Sequence, residues 1–294
     1  KQMIYIAGEI LADRFVFGND CTTKVGGAPF NAAAWAADGG AETVFYGAVG
    51  DDDVGKKVLA DASKTKVRLS VDVLKGNRTT VALVSLSADG ERNFRFLRDD
   101  TAEFKLSVQK MDMCAFEKCK IAHLGSLMFT EPEGRKFAAD FVASSKEKHK
   151  ILSFDYNFRD DLYPSFEASK EVCKNVVESA DVLKFSEDEI LAYTKAADVS
   201  SALKALSQKD RLVVVTLGKK GSAYSFGGEL GFVEAVPVSA VDTTGAGDAY
   251  MGTMLAGLDK TNFPDVSINE IQSVLEAASR KGAEATTFYG AIKI

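Results

Sequence analysis

Along most of the chain, apolar runs of strand length alternate with stretches in which apolar residues recur every three to four positions. Strands are predicted at Met3–Ala7, Thr43–Val49, Lys120–Gly125, Ile151–Asp155, Val182–Phe185 and Leu212–Leu217, most of them continuously apolar, as strands covered on both faces are. Helices are predicted between them at Ala28–Asp38, Val54–Ser63, Glu133–Lys146, Phe166–Ser179 and Glu187–Thr194. Ala246–Leu258 and Ser267–Glu284 form a helical C-terminal part, the second opened by a Ser267/Glu270 capping box ahead of Ile271, Val274, Leu275 and Ala278 on one face. This alternation predicts the α/β class, a mainly parallel sheet covered by helices.

One stretch departs from the series. Thr79–Leu86 and Glu91–Leu97 are extended runs joined through Ala88-Asp89-Gly90, whose Asp-Gly pair signals a hairpin turn. Period-two geometry puts Arg92, Phe94, Phe96 and Arg98 on one face, which suits either a surface closing over a polar ligand or an ordinary packed sheet face. The pattern alone leaves both readings open.

Composition narrows the function classes. At 294 residues, with 46% apolar and 27% charged positions, the chain is long enough for a substantial core and too apolar for intrinsic disorder. The net charge is 36 − 42 = −6, without a long basic run, which disfavours extended nucleic-acid binding. No apolar stretch approaches the ~20 residues of a membrane span, and Lys1 to Gly8 reads as a core strand, so neither a membrane anchor nor a signal peptide is expected. Cys21, Cys114, Cys119 and Cys173 are too scattered for a disulfide framework, and His123 and His149 do not cluster with them, which fits a reduced, cytoplasmic setting. Without internal repeats or a Pro/Gly-rich linker, one domain over residues 1–294 is expected.

The segment Ala240-Val241-Asp242-Thr243-Thr244-Gly245-Ala246-Gly247-Asp248-Ala249-Tyr250 carries the most chemistry. Small residues at Gly245, Ala246 and Gly247 let backbone N–H groups approach an anion at a helix N-terminus, where unpaired amides and the dipole favour negative charge. Asp248, in the helix's first turn, could accept a proton from a hydroxyl held beside that anion. Taken alone, the same residues also suit a tight turn and a carboxylate that merely complements the helix dipole.

The string resembles the signature of the ribokinase-like, phosphofructokinase-B type carbohydrate kinases. That resemblance implies Asp248 as catalytic base and the Gly245-Ala246-Gly247 backbone as anion hole. It continues through the chain in family order. Gly26-Gly27-Ala28-Pro29-Phe30-Asn31 is similar to the family's sugar-binding Gly-Gly motif, and Asp13 matches its early acidic residue that binds sugar hydroxyls. An Asp accepts from vicinal hydroxyls while an Asn offers both donor and acceptor. Asp155-Tyr156-Asn157-Phe158-Arg159 resembles the Asp-x-Asn-x-Arg segment of the fructokinase-like branch, which implies Asn157 at the sugar and Arg159 countering phosphoryl charge; a salt bridge from Arg159 to Asp160 or Asp161 is the plainer alternative. Phe96 and Arg98 would meet the sugar from the hairpin.

On the nucleotide side, Lys184-Phe185-Ser186-Glu187-Asp188-Glu189 corresponds to the family's Asn-x-x-Glu region, with Ser186 where Asn is usual and Glu189 acting on magnesium through water; Ser186 and Glu189 also spell a capping box. Thr216, Gly218 and Gly221 resemble the nucleotide loop, and Gly290-Ala291 with Asp242 the region of the adenine and a monovalent cation, potassium in the members that need one. Two rival phosphate motifs fail. Gly50–Lys57 has Walker-A spacing, but Lys57 stands where Ser or Thr is required and three aspartates crowd the loop; the dinucleotide fingerprint lacks its third glycine, Tyr250 standing there.

The resemblance thus implies a ribokinase-like three-layer α/β/α sandwich with a mainly parallel central sheet and a small β lid formed by about 10–25 and 77–100. It implies an ATP- and Mg2+-dependent kinase acting on a primary hydroxyl of a small sugar, fructose above 2-keto-3-deoxygluconate or ribose. The lid's exposed strand edge would admit a homodimer. A catalytically silent sugar-binding regulator is the alternative of another class, though neither Asp248 nor a glycine of the anion hole is missing; a nicotinamide oxidoreductase ranks last.

Overall fold

The computed structural model describes residues 2–17, 20–86 and 92–294. The expected turn at Ala88-Asp89-Gly90 and the start of its second strand at Glu91 lie outside the described residues, as do the side chains of Arg92 and Phe94.

In chain order the elements are β1 (Met3–Ala7), β2 (Leu11–Phe17), β3 (Asp20–Gly26), α1 (Ala28–Asp38), β4 (Glu42–Gly50), α2 (Asp53–Ala62), β5 (Arg68–Leu74), β6 (Val81–Leu86), β7 (Arg92–Leu97), α3 (Met113–Lys118), β8 (Ile121–Leu124), α4 (Pro132–Glu147), β9 (Ile151–Asp155), α5 (Phe166–Ser179), β10 (Val182–Ser186), α6 (Glu187–Thr194), α7 (Val199–Leu206), β11 (Leu212–Thr216), β12 (Gly221–Phe226), β13 (Glu229–Glu234), α8 (Ala246–Asp259) and α9 (Ile268–Ala285). A nine-stranded sheet runs β13-β12-β11-β10-β9-β8-β1-β4-β5, parallel except where β12 and β13 return as an antiparallel pair at one edge. A second sheet of four strands runs β3-β2-β6-β7.

Side-chain alternation on β1 shows why three layers form. Ile4 and Ile6 enter one core with Phe30 and Trp35 of α1, Met254 and Leu258 of α8, and Ile271 and Leu275 of α9. Met3, Tyr5 and Ala7 point the other way, into a core with Phe116, Phe137, Phe141, Val177, Ile190 and Leu203 of α3 to α7. A continuously apolar strand can be stable only between two such layers. Helix starts are set locally: Ser165 and Asp198 accept from the backbone amides of Ala168 and Ser201, and α6 and α9 carry full capping boxes.

Several elements carry weak sequence signals. β5, β12 and β13 mix polar and apolar residues because they lie at or near the sheet's edges, where one face or one flank meets solvent. The Walker-like stretch is the turn into α2: Asp52 caps the helix by accepting from Gly55 N at 2.7 Å, and Lys57 pairs with Asp61 at 2.5 Å. The four cysteines are free, Cys119 and Cys173 buried, and no described helix is long and apolar enough to cross a membrane.

Two features position the site. Helices α1 and α8 pack unusually close at Gly252, where a Cβ would come within 2.2 Å of the Ala32 carbonyl oxygen. The four-stranded sheet meets the main body through Leu11 and Ala82, which pack with Leu127, Phe96 and Leu162.

Candidate active site

A cavity of about 690 Å³ opens beyond the C-terminal ends of β1, β8 and β9, between the main sheet and the small one. Crevices at this end are where open α/β sheets bind ligands, because the loops there are free to vary. Strand β1 delivers Glu9 to the cavity, β2 delivers Asp13, and the turn after β9 delivers Asn157 and Arg159. Segment 240–248 forms the opposite wall.

Helix α8 starts in that wall. Gly245 is its N-cap, so Asp248 falls in the first turn beside amides that have no partner within the helix. Asn31, one turn into α1, donates from Nδ2 to Asp248 Oδ2 at 2.8 Å, while its own Oδ1 is buried without a partner. Burial pushes the Asp248 carboxyl above the usual range and the Asp155 charge adds to this, whereas Asn31, Arg159 and Lys184 pull it back. The half-buried carboxyl lines the cavity.

Lys184 lies behind this turn: a Cβ placed on Gly247 would be 3.4 Å from its Nζ. The parallel register of β9 and β10 sets Lys184 against Asp155, and the pair closes at 2.7 Å with both side chains buried. Burial alone would lower the Lys184 ammonium's pKa, but Asp155 outweighs it and the net direction is up. A fixed positive charge therefore sits beneath the Gly245–Gly247 amides.

Asp13 occupies the other side. Its carboxylate lies over Gly26, where a Cβ would be 2.1 Å from Oδ2, so any larger residue at 26 would evict it. Burial raises Asp13 to about 7, helped by the charge of Asp248 and opposed by Arg159. Leu11, Ala82, Phe96 and Leu127 give the cavity an apolar wall.

The remaining expected residues fall into three groups. Gly27 lines the cavity with those above, whereas Gly26 and Ala246 support it from behind. Asp242 ties two loops together, accepting from Thr244 N at 2.8 Å and from Gly290 N at 2.9 Å. Ser186 and Glu189 form a capping box, and Glu189 also accepts from Phe158 N at 2.8 Å, so both of its oxygens serve backbone amides. Ser186 pairs with Thr216 across β10 and β11, which brings that segment beside Gly218 and Gly221.

Arg98 departs from its expected place. It follows the end of β7, is held by Glu103 at 2.7 Å and Thr130 at 2.7 Å, and does not line the cavity. Glu103 and Thr130 take its Nε and Nη1, while Nη2 is buried without a partner. Glu9 lines the site without having been singled out from the sequence, and Asp155, named there only as the first residue of the Asp-x-Asn-x-Arg segment, holds Lys184. Each closes or follows a buried strand at the crevice end of the sheet, and that position was the signal available.

The pfkB family carbohydrate kinase domain matches residues 7–293. Fructokinase-2 of Solanum lycopersicum is 34% identical over 272 residues, covering 91% of this chain and 82% of the relative. The crystal structure of a fructokinase with bound ATP from Xylella fastidiosa superposes with a TM-score of 0.89 at 28% identity, covering 98% of this chain and 93% of the other. A fructokinase double mutant from Vibrio cholerae O395, in fructose, ADP and potassium ion bound form, gives a TM-score of 0.89 at 28% identity over 99% and 94% of the two chains. A helix start without a side-chain cap on the cavity wall, a carboxylate in its first turn and a match across nearly the whole chain have one common source: this protein belongs to the pfkB family of carbohydrate kinases and has its ribokinase-like α/β fold.

Proposed function

We propose that the chain is an ATP-dependent fructokinase in which Asp248 is the general base. The observation that carries this reading is the Asn31–Asp248 contact at the N-terminal turn of α8: a carboxylate held by an amide, at a helix start that no side chain caps, on the wall of one cavity. In this reading Asp13, Asn31 and Asn157 hold the sugar hydroxyls, and Phe96 and Leu127 cover an apolar face of the ring.

Asp248 takes the proton of the primary hydroxyl as its oxygen attacks the γ-phosphoryl of ATP. The Gly245–Gly247 amides, Lys184 beneath them and Arg159 across the cavity meet the negative charge that develops. Thr216, Gly218 and Gly221 belong to the nucleotide side with Ser186. Among the described residues no group of three His, Cys, Asp or Glu side chains could hold a metal alone, which suits a magnesium ion carried mainly by phosphate oxygens and water, with Glu189 acting through that water. Such an ion supplies neutralisation of phosphate charge. Asp242, with the backbone it ties at Gly290, is the seat assigned to a monovalent cation.

Charge favours a neutral sugar over 2-keto-3-deoxygluconate. The cavity is lined by four acidic side chains, Asp242, Asp248 and the burial-raised Glu9 and Asp13, against the single cation Arg159 among the described residues. Arg98, at the end of β7, is already paired with Glu103. A sugar carboxylate would have only Arg159 to meet it, the same cation that the transferring phosphoryl needs.

An ATP-consumption assay over fructose, ribose and 2-keto-3-deoxygluconate tests this directly. Fructose should give the largest kcat/KM, and Asp248→Ala should lower kcat by on the order of 10²–10⁴ with the fold intact. Near-wild-type turnover in that variant rejects the base assignment; a preference for another sugar rejects fructose. Sugar binding in a calorimeter without any turnover returns the chain to the regulatory reading.

A further inference from the structure

Glu9 has no role in the mechanism above, yet it lines the same cavity as Asp13, Asn31 and Asp248. It follows β1 by two residues and is only 4% exposed. Its Oε2 has no hydrogen-bond partner, although it lies close enough to the backbone that a Cβ on Gly125 would be 3.1 Å away. Buried carboxyl oxygens are almost always met by a donor or carry a proton to an acceptor. The terminal torsion of a glutamate is soft, so either oxygen can be turned to the cavity. With no protein group to meet it, the partner that remains is a molecule in that cavity.

We propose that Glu9 is a further substrate-binding residue, hydrogen-bonding a sugar hydroxyl other than the one deprotonated by Asp248. The proposal rests on the kinase reading of the site and adds the chemistry of its acceptor: a polyol presenting a hydroxyl, not a carboxylate, to the floor of the cavity.

The surroundings agree with that chemistry. Burial raises Glu9 to about 8; its own backbone amide and Arg159 lower it, while the charges of Asp248 and Glu103 raise it. Asp13, raised to about 7, stands on the same cavity wall. At neutral pH Glu9 is therefore a carboxylic acid, able to donate and to accept, which matches a hydroxyl. An anionic group at the same place would meet Asp13 and Asp248 with little compensation.

The test compares wild type, Glu9→Ala and Glu9→Gln with fructose and with its single-deoxy analogues, at saturating ATP. Glu9→Ala should raise the fructose KM about tenfold or more, as losing a buried hydrogen bond does, while kcat and the ATP KM stay within about twofold. One deoxy analogue, the one lacking the hydroxyl that Glu9 meets, should show the same KM with wild type and Glu9→Ala. Glu9→Gln keeps a donor and an acceptor and should restore most of the fructose KM. It should also remove the KM rise expected in wild type above a pH of about 8. Should Glu9→Ala fail to fold, the Gln variant's pH profile decides.

An active wild type whose fructose KM changes less than twofold in Glu9→Ala, with every deoxy analogue still sensitive, overturns the proposal while leaving the kinase reading in place. So does a wild-type KM rise above pH 8 that persists in Glu9→Gln. A wild type that phosphorylates no sugar overturns the kinase reading itself.

Discussion

Asn31 Nδ2 and Asp248 Oδ2 lie 2.8 Å apart across 217 positions of chain. The contact joins the first turn of α8 to a site one turn into α1, and the close approach of those two helices at Gly252 sets its length. Because the amide donates to the ionised carboxylate, it favours that form and opposes the upward push of burial on Asp248.

Removing the amide should therefore move the pH dependence of catalysis. In the proposed role Asp248 acts when ionised, so activity should be lost as pH falls through its pKa, which lies above the ordinary carboxylate range. Asn31→Ala takes away a group that lowers this pKa, so the acid limb of kcat/KM should shift to higher pH. Asn31→Asp, which adds a like charge, should shift it further. Identical acid limbs in wild type and both variants would contradict the assignment of Asp248 as the base.

The two raised carboxyls should also make ligand-free stability depend on pH. Asp13 at about 7 and Glu9 at about 8 bind protons more tightly folded than unfolded. Their contribution is fully present below the unfolded pKa values, about 4, and is lost as pH rises through the folded ones. Denaturant unfolding at pH 5 and pH 8 should show the protein less stable at the higher pH on account of these groups, by on the order of 1–3 kcal/mol each. Asp13→Asn and Glu9→Gln should each shrink the difference. A pH dependence untouched by either substitution would show that neither carboxyl is protonated in the folded chain.

Lys184 and Asp155 give a third expectation. Asp155→Ala leaves a buried ammonium without its partner and should cost about 3–5 kcal/mol, whereas Asp155→Ala combined with Lys184→Met should recover most of it. Chemical denaturation of the single and double variants measures this. A loss below about 1 kcal/mol in Asp155→Ala would mean that the lysine finds other compensation.

The parts of this fold legible from sequence are those with strong local causes. Met3–Ala7, Ile151–Asp155, Ala28–Asp38, Phe166–Ser179 and Glu187–Thr194 appear in the structure with the bounds their patterns predict. Each combines an apolar period with a sharp end signal, such as Pro29 in the first turn of α1 or the Ser186 box of α6. β12 and β13 lack that advantage, since an edge hairpin needs only one apolar face. The helix start at Gly245 and the acid at Asp248 were readable because they are contiguous.

Arg98 shows the converse. Its place on an aromatic and cationic strand face suggested a ligand, but Glu103, five residues on, folds back and takes it. Glu9 shows the same limit from the other side. Nothing local marks it as a site residue until β1 and β9, with β8 between them, run parallel with their loops pointing the same way.

The amino-acid sequence by itself determined the class of fold, most element positions, the glycine-opened start of α8 with its acid, and the family. These depend on periodicity, caps and contiguous motifs, which act over a few residues. Only the tertiary structure decided which charges are spent on one another, which remain in the cavity, and how far each carboxyl is pushed from its usual pKa. Burial and pairing are properties of distances between remote segments, and those distances exist only once the sheet has ordered its strands.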